Sequence, residues 1–325
     1  VEFEAAALNA GVSPAVLVAA ARARFEAAGG KILEKAPLQS VEVFDDAAVL
    51  HLAEARDGLR GVRARLLVDA MGSASPIVAQ ARSGAPPDAA CLVVGTMASG
   101  FPEALNQRGD YLYSCGAPRP GGRQPFWESF PAASGGPSGS DRTTYYFTYV
   151  LPGEEDLPDI VDVFEEYMDA LPEYQGVQIQ DLEVQRVLCA SFVAYRNSPL
   201  PAAFDRVLQV GDAAGIQSPL SFGGFGALCR HLGRVRAAVT EAVAGDLLSR
   251  EDLALVNAYL PNLSLQWAMY RSIARPPASE PEFVNRMMSG ILGAAASCGD
   301  AVMMPVLQDV FSLSALLPTL IAWHW

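Results

Sequence analysis

The spacing of apolar positions changes along the chain and predicts different elements in turn. Residues 14–25 carry a helical pattern that opens at Pro14 after Ser13, a capping residue, and ends at two glycines, 29–30. Short alternating runs at 31–35, 38–44 and 47–52 follow, and they lead into an apolar run at 62–70. A helix, a small meander and a buried strand in this order are typical of an α/β domain with an antiparallel insertion.

Further along, β-branched and aromatic runs replace the helical spacing. Strands are predicted at 91–97, 110–114, 126–130 and 143–150, and a further strand at 184–195 follows an amphipathic helix around 160–170. These strands indicate an antiparallel sheet. The pattern therefore divides the chain into residues 1–85 with 203–245 as one domain, 86–202 as a β-sheet substrate domain, and 246–325 as a largely helical region.

Residues 210–228 combine a strand end, an isolated acid and a glycine-rich helix start. The apolar run at 206–210 ends at Gly211. The side chain of Asp212 can then accept hydrogen bonds from ribityl or ribose hydroxyls. After Pro219, the glycines Gly223, Gly224 and Gly226 leave backbone N–H groups uncovered where a helical pattern over 227–243 begins. Such N–H groups favour anions. An ordinary glycine-rich loop has the same composition, so this segment needs a second, independent match.

Residues 66–80 supply that second match. Another apolar strand ends in Asp69, and Gly72 and Ser75 follow in a polar turn before Pro76, a residue favoured at the first position of a helix. The same arrangement of a strand, an acid and a glycine turn therefore occurs twice in the chain.

Together the two segments resemble the flavoprotein group that includes aromatic hydroxylases, geranylgeranyl reductases, halogenases and lycopene cyclases. The resemblance implies an FAD/NAD(P)-binding flavoprotein monooxygenase-like fold and FAD as the cofactor. It places the Asp69, Gly72 and Ser75 segment near the cofactor. The resemblance also implies that Gly211, Asp212 and Ala213 contact the ribityl chain. Pro219 and residues 223–226 would face the flavin ring.

A narrower resemblance covers nearly the whole chain. The stretches at 69–72 (DAMG), 126–131 (FWESFP), 141–149 (DRTTYYFTY), 195–200 (YRNSPL) and 218–226 (SPLSFGGFG) are similar to the Cru-type lycopene cyclase family. They are most similar to its paralogue branch in plants, algae and cyanobacteria. This resemblance implies a carotenoid or other long isoprenoid as substrate, with NAD(P)H as a possible reductant. It also implies a plastid or cyanobacterial location.

One part of the expected flavin site is missing from the sequence. This fold normally opens with a strand, a Gly-x-Gly-x-x-Gly turn and a helix that receives the FAD pyrophosphate. The 325 residues contain no such turn and begin at Val1. We therefore expect a chain truncated at its N-terminus relative to the family, without the dinucleotide-binding βαβ unit.

Glu128 is the candidate catalytic acid. Protonation of an isolated alkene requires a carboxylic acid kept neutral in an apolar pocket, and Glu128 lies within an aromatic strand segment, as an acidic residue does in lycopene cyclases. A solvent-facing glutamate on a half-buried strand is an equally good interpretation, because alternate residues point outward. If Arg142 pairs with Glu128 across the hairpin, the glutamate is held ionised and the acid hypothesis weakens.

Composition excludes several function classes. The formal charge of −13 argues against nucleic-acid binding and against charge-driven binding to anionic membranes. Five scattered cysteines and three histidines show no metal-ligand spacing, so we expect no metal site. The apolar run at 301–325 is interrupted by Pro305 and Pro318; it favours a cap on the core, with peripheral membrane contact as the second interpretation.

These observations predict a flavin-dependent, lycopene cyclase-like enzyme. Its FAD either stabilises charge during a cyclisation without net redox change or takes part in an oxidoreduction. Two alternatives stay open: a flavin-dependent oxidoreductase or monooxygenase-type enzyme on isoprenoid or carotenoid-epoxide substrates, and a carotenoid-binding protein without turnover.

Overall fold

The computed structural model describes residues 12–56, 58–107, 109–114, 118–119, 122–132, 139–153, 157–221, 224–257, 260–274, 276, 280, 282–307 and 312–324. The strands are β1 (Leu38–Val43), β2 (Ala48–Arg56), β3 (Leu59–Ala64), β4 (Leu67–Asp69), β5 (Ala89–Ser99), β6 (Asp110–Tyr113), β7 (Pro125–Pro131), β8 (Arg142–Val150), β9 (Glu183–Ala194) and β10 (Val207–Gln209). The helices are α1 (Pro14–Ala27), α2 (Pro76–Ala81), α3 (Ile160–Gln175), α4 (Gly224–Gly245), α5 (Arg250–Leu253), α6 (Pro261–Ala274), α7 (Phe283–Ser297), α8 (Asp300–Leu307) and α9 (Leu313–His324).

The first helix forms where the sequence predicts it. Pro14 occupies the first turn, and Gly29, with a φ of +87°, follows the end of the helix. The side chain of Ser13 makes no capping hydrogen bond, although its backbone is in the N-cap position. The predicted strand at 31–35 is wrong, because the chain turns there and Lys35 takes a left-handed conformation with a φ of +51°.

The first four strands contribute to two small sheets, the second of which includes β10 from later in the chain. β1, β2 and β3 make an antiparallel meander, while β4 pairs in parallel with β10. The single strand predicted at 62–70 is therefore two strands, since β3 ends at Ala64 and a break precedes Leu67. Each part joins a different sheet, which an apolar pattern cannot reveal.

The largest sheet is antiparallel and has the order β6-β7-β8-β5-β9. On one face, α3 packs against Val94, Trp127 and Tyr146, each at most 1% exposed. On the other face, α6 and α7 cover a cluster that includes Phe126 and Tyr149. Both faces of the central strands β5, β7 and β8 are therefore covered, which explains why these strands read as nearly continuous apolar runs, while the edge strand β9 is largely exposed.

The region after residue 246 is helical in the part that the structure describes. Pro305 lies inside α8 and Pro318 inside α9, so both prolines that interrupt the apolar run are accommodated within helices. Among the described residues, no helix combines the length and apolar character that crossing a membrane requires.

Candidate functional site

The strand that ends in Asp69 and the strand that precedes Asp212 lie side by side. In the parallel pair of β4 and β10, Asp69 is opposite Gln209, and the N–H of Val210 donates to the carbonyl oxygen of Asp69 at 2.9 Å. Parallel strands that end in register send their following loops to the same sheet edge. The fold thus brings together the two segments that sequence analysis singled out 140 positions apart.

Side chains within the first loop fix its shape. The buried carboxylate of Asp69 accepts from the N–H of Met71 at 3.0 Å and from the hydroxyl of Ser75 at 2.7 Å. Ser75 in turn accepts from the N–H of Ile77 at 3.1 Å at the start of α2, as an N-cap residue does. Gly72 turns the chain with a φ of +75°. Asp69 and Ser75 therefore order this loop, and their contact with a cofactor stays a prediction.

The second loop presents a carboxylate at the surface. Gly211, with a φ of +59°, opens a short 3-10 turn, and Asp212 follows with its side chain exposed. Partial desolvation raises the pKa of the Asp212 carboxyl above its ordinary value. The amide of Gln217, oriented to donate to this carboxylate, lies 3.2 Å from Oδ2. Ala213 is buried and packs beneath the loop with Val78.

At the start of α4, glycines allow close packing. A Cβ atom at Gly224 would lie 3.0 Å from Oδ1 of Asp212, so the loop and the helix fit tightly only without a side chain there. Gly226 is exposed and has open space where a Cβ would lie, which leaves its backbone accessible. Pro219 is buried just before this start, and the predicted Gly223 lies outside the described residues.

Both loops line the same small cavity. Ser73 lines it from the first loop, and Asp212, Ala213 and Pro219 line it from the second. The cavity is narrow. Its lining also includes Arg82 and Tyr195, which were not predicted as flavin-site residues from the sequence.

Arg82 and Tyr195 contact each other in the wall of this cavity. The guanidinium carbon of Arg82 lies 3.6 Å from the ring centroid of Tyr195, which is a cation–π contact. Burial lowers the pKa of Arg82, though not enough to remove its charge. Arg82 directly follows α2, and its sequence neighbourhood carries no signal for this role, because Tyr195 comes from β9's end, 113 positions away.

Glu128 lies on the sheet face that carries Phe126. It is half-buried on β7 opposite Tyr145. Burial raises the pKa values of Cys91 and Tyr145, and the charge of Glu128 is the second cause that raises them. Burial also raises the pKa of Tyr149, and the charge of Glu128 contributes to that shift. The carboxylate is therefore close to a sulfur and two aromatic rings rather than on a solvent face.

Arg142 is on the opposite face of the same sheet. It is opposite Pro131 in the β7–β8 register, three positions from Tyr145, the partner of Glu128. The pleat therefore turns Arg142 and Glu128 to different faces. Arg142 donates to the hydroxyl of Ser129 at 2.6 Å on the α3 side. The cross-hairpin pairing considered from sequence does not fit this arrangement.

One contact joins the sheet to the second loop. The hydroxyl of Tyr149, on the Glu128 face, donates to the carbonyl oxygen of Leu220, the residue after Pro219. Tyr149 also packs edge-on against Phe126 at 5.5 Å between ring centroids. The aromatic face that carries Glu128 is thus directly attached to the loop that precedes the glycine-rich helix start.

Comparison with solved structures identifies the fold. Halogenase PltM shares 14% identity over 91% of this chain and 59% of its own, with a TM-score of 0.58. The flavin-dependent halogenase CmlS shares 18% identity over 95% of this chain and 58% of its own, with a TM-score of 0.53. The p-nitrophenol 4-monooxygenase PnpA from Pseudomonas putida DLL-E4 shares 14% identity over 84% and 65%, also with a TM-score of 0.53.

These matches define the class of fold: it is the FAD-binding monooxygenase and halogenase fold, as the sequence predicted. One PltM structure holds FAD together with phloroglucinol. The chain spans about three fifths of the length of the two halogenases. No family model matches the chain, and neither does any curated protein sequence.

Proposed function

We propose that this chain forms the flavin-ring and substrate region of an FAD-dependent enzyme that acts on a carotenoid or another long isoprenoid. The observation that carries the proposal is that the loop after Asp69 and the loop that contains Asp212 line the same cavity. The second of these loops is bonded through Tyr149 to the sheet face that holds Glu128. The loop that presents Asp212 and the sheet face that holds Glu128 are therefore neighbours.

The residues at the cavity fit the ribityl and ring end of the cofactor. Asp212 offers an exposed carboxylate to hydroxyl groups, and Gly226 leaves backbone uncovered at the helix start. Arg82 adds a fixed positive charge beside Tyr195. When bound, FAD would exchange electrons with a substrate or, held in its reduced form, would place negative charge beside a cation. The sequence contains no Gly-x-Gly-x-x-Gly turn for the pyrophosphate, so we assign no residues to that end.

Glu128 is suited to deliver a proton to an apolar substrate. An apolar surrounding favours the neutral form of a carboxylic acid, which then transfers its proton to an alkene carbon. Aromatic faces stabilise such a cation, and Phe126, Tyr145 and Tyr149 lie on the same side of the sheet as Glu128, in the cluster that α6 and α7 cover. Deprotonation at a neighbouring carbon completes a cyclisation without net redox change.

The likeness to halogenases and to a monooxygenase supports a second candidate, a flavin-dependent oxidoreductase on the same class of substrate. Anaerobic reduction of the flavin with and without NAD(P)H distinguishes the two. Substrate-dependent NAD(P)H oxidation, with one equivalent consumed per product, supports the oxidoreductase. Product formation by reduced enzyme without net consumption supports the cyclisation.

Flavin binding is tested first, by titrating the protein into FAD and, separately, into FMN and following flavin fluorescence. Because the cavity residues address the part shared by both molecules, we expect both to bind. We expect Asp212→Asn to weaken binding about ten-fold, the loss of one charge-assisted hydrogen bond. Asp169→Asn, an exposed change on α3, is the matched control. Equal affinity of wild type and Asp212→Asn would remove Asp212 from the site.

The acid is tested by Glu128→Gln in flavin-loaded protein supplied with lycopene. We expect at least about a hundred-fold loss of product formation, within the range for removal of a general acid, with flavin affinity unchanged. Glu165→Gln, exposed on α3, controls for the loss of a carboxylate. Full activity of Glu128→Gln would exclude Glu128 as the acid, while lycopene binding without turnover by wild type would indicate a carotenoid-binding protein.

A further inference from the structure

The last described helix, α9, is oriented with most of its larger apolar side chains outward, and Leu316 is half-buried. Leu313, Leu317, Leu320 and Ile321 are each exposed by 44% to 68%. Facing the protein instead are small residues, among them Ala315 at 2% exposure. This is the reverse of the usual surface helix, which buries its large apolar residues and exposes polar ones.

The four exposed residues form one continuous stripe. Their spacing of i, i+4, i+7 and i+8 places them along a single side of an α-helix. The sequence from Ser312 to Trp323 contains no acidic or basic residue. An apolar stripe on a helix without charges is typical of a surface that another apolar phase covers.

The helix is held in this orientation by packing against α7 and α8. Trp323 lies directly against Gly290 of α7, where a Cβ atom would come within 2.5 Å of the indole nitrogen and therefore could not be accommodated. Thr319 is buried at 2% and donates to the carbonyl oxygen of Ala315. A rotation of α9 that hides the leucines would expose Thr319 and separate Trp323 from Gly290.

We propose that α9 lies flat in the surface of an electrically neutral lipid bilayer, with the stripe of Leu313, Leu317, Leu320 and Ile321 facing the acyl chains. Its twelve residues extend about 18 Å, which is too short to cross the roughly 30 Å hydrocarbon core. Trp323, 46% exposed next to the stripe, is the residue type that anchors at membrane interfaces. The formal charge of −13 repels anionic headgroups and so favours neutral lipids.

Lipid fits this surface better than a second copy of the chain. A stable dimer buries roughly 800 Å² on each partner, and four partly exposed aliphatic side chains on one helix fall short of that area. A bilayer requires no matching partner surface, because binding grows with the apolar area inserted. The proposal is independent of the flavin chemistry, since a helix of this kind would bind lipid whether or not the protein turns over a substrate.

The experiment is flotation of the purified chain with phosphatidylcholine vesicles. We expect wild type to float with the vesicles, and the double change Leu317→Gln with Ile321→Gln to reduce the bound fraction at least about ten-fold, since two inserted aliphatic side chains are lost. Vesicles containing phosphatidylglycerol should bind less wild type at low salt, and high salt should remove that difference.

Val161→Gln with Val187→Gln is the matched control, because these residues are similarly exposed at 58% and 54% but lie on α3 and β9. It should float like wild type, and thermal unfolding should show that all variants are folded. Wild type that stays with the soluble fraction, or a Gln variant that floats equally well, would overturn the proposal. So would light scattering that finds a lipid-free dimer which the Leu317 and Ile321 changes dissociate.

Discussion

The five-stranded sheet and the β4–β10 pair differ in how they are held together. The sheet has strands of four to twelve residues, its central strands β5, β7 and β8 are covered on both faces, and Trp127 and Tyr146 on its α3 side are at most 1% exposed. The parallel pair has three residues in each strand, and Val68 on β4 is 44% exposed. Stability is therefore concentrated in the sheet, while the candidate flavin loops lie on the less extensively packed pair.

Local hydrogen bonds compensate for the short strands at the loops. In the first loop, Ser75 donates a hydrogen bond to Asp69. In the second, the amide of Gln217 is within hydrogen-bond distance of Asp212, and Gly224 packs directly against it. Short-range side-chain bonds of this kind set the shape of a loop without a large core beneath it. Changes in the sheet should therefore unfold the protein, and changes in the loops should alter binding with smaller effects on stability.

The largest effect is expected for Trp127→Ala in the sheet. The indole stacks on Tyr174 at 4.2 Å between ring centroids and packs against Tyr146 at 4.7 Å. Removing it leaves a cavity in a fully covered layer, which should cost about 3–5 kcal/mol of unfolding free energy in urea. Phe130→Ala on the same strand is the control, because Phe130 is 41% exposed; equal losses for both variants would contradict the contrast.

Next in size is Tyr167→Phe, which removes one hydroxyl from the α3 side of the sheet. The Tyr167 hydroxyl is hydrogen-bonded to Thr96 at 2.7 Å, and both residues are at most 2% exposed. Burial raises the pKa of Tyr167 to about 12, so the hydroxyl is neutral under ordinary conditions. Leaving Thr96 without this partner should cost about 1–3 kcal/mol, measured by urea unfolding. Thr96→Val combined with Tyr167→Phe should recover part of the loss, and no recovery would show that the bond is not the cause.

Sequence patterns predicted the sheet well for a physical reason. The predicted strands at 91–97, 110–114, 126–130 and 143–150 end within two residues of β5, β6, β7 and β8. Runs of β-branched and aromatic residues are enough to locate strands that are buried on both faces. The same burial on both faces left the orientation of Glu128 open, because alternation distinguishes a core face from a solvent face and this sheet has no solvent face there.

Sequence patterns pointed to the acids and glycines of the candidate site but not to its cation. Asp69 and Asp212 follow strand ends, and a strand end is visible in sequence as the close of an apolar run. Arg82 meets Tyr195 only through folding, since the pair joins the end of α2 to the end of β9. Contacts between elements distant in sequence depend on packing that local patterns do not encode.

At the first loop, Ser75→Ala should have a moderate and local effect. The variant removes the cap of α2 and one donor to the buried Asp69, which should cost about 1–2 kcal/mol. Because α2 has six residues and lies at the edge of the fold, we expect faster amide hydrogen exchange there than in β5 or β8. Ser75→Thr, which keeps a hydroxyl, should restore protection; uniform loss of protection across the sheet would contradict a local effect.

The smallest effect on stability is expected for Asp212→Asn, and its sign should reverse the trend of the other variants. Because desolvation raises the folded-state pKa of Asp212, the folded protein holds this proton to a higher pH than the unfolded chain does. Stability from this group is present below the ordinary carboxyl pKa and is lost as pH rises through the raised value.

Asparagine does not ionise, so Asp212→Asn avoids the loss of folding stability that accompanies ionisation of Asp212. The variant should be slightly more stable than wild type at neutral pH and equal to it in acid, as measured by thermal unfolding across pH. Flavin binding should change in the opposite sense, since the ionised carboxylate is the stronger acceptor and wild-type affinity should fall as the pH is lowered through the raised pKa. A variant less stable than wild type at neutral pH would mean that the bond from Gln217 outweighs desolvation. Asp212 would then support the fold of the second loop, and the contrast between a stabilising sheet and a binding edge would not hold at this residue.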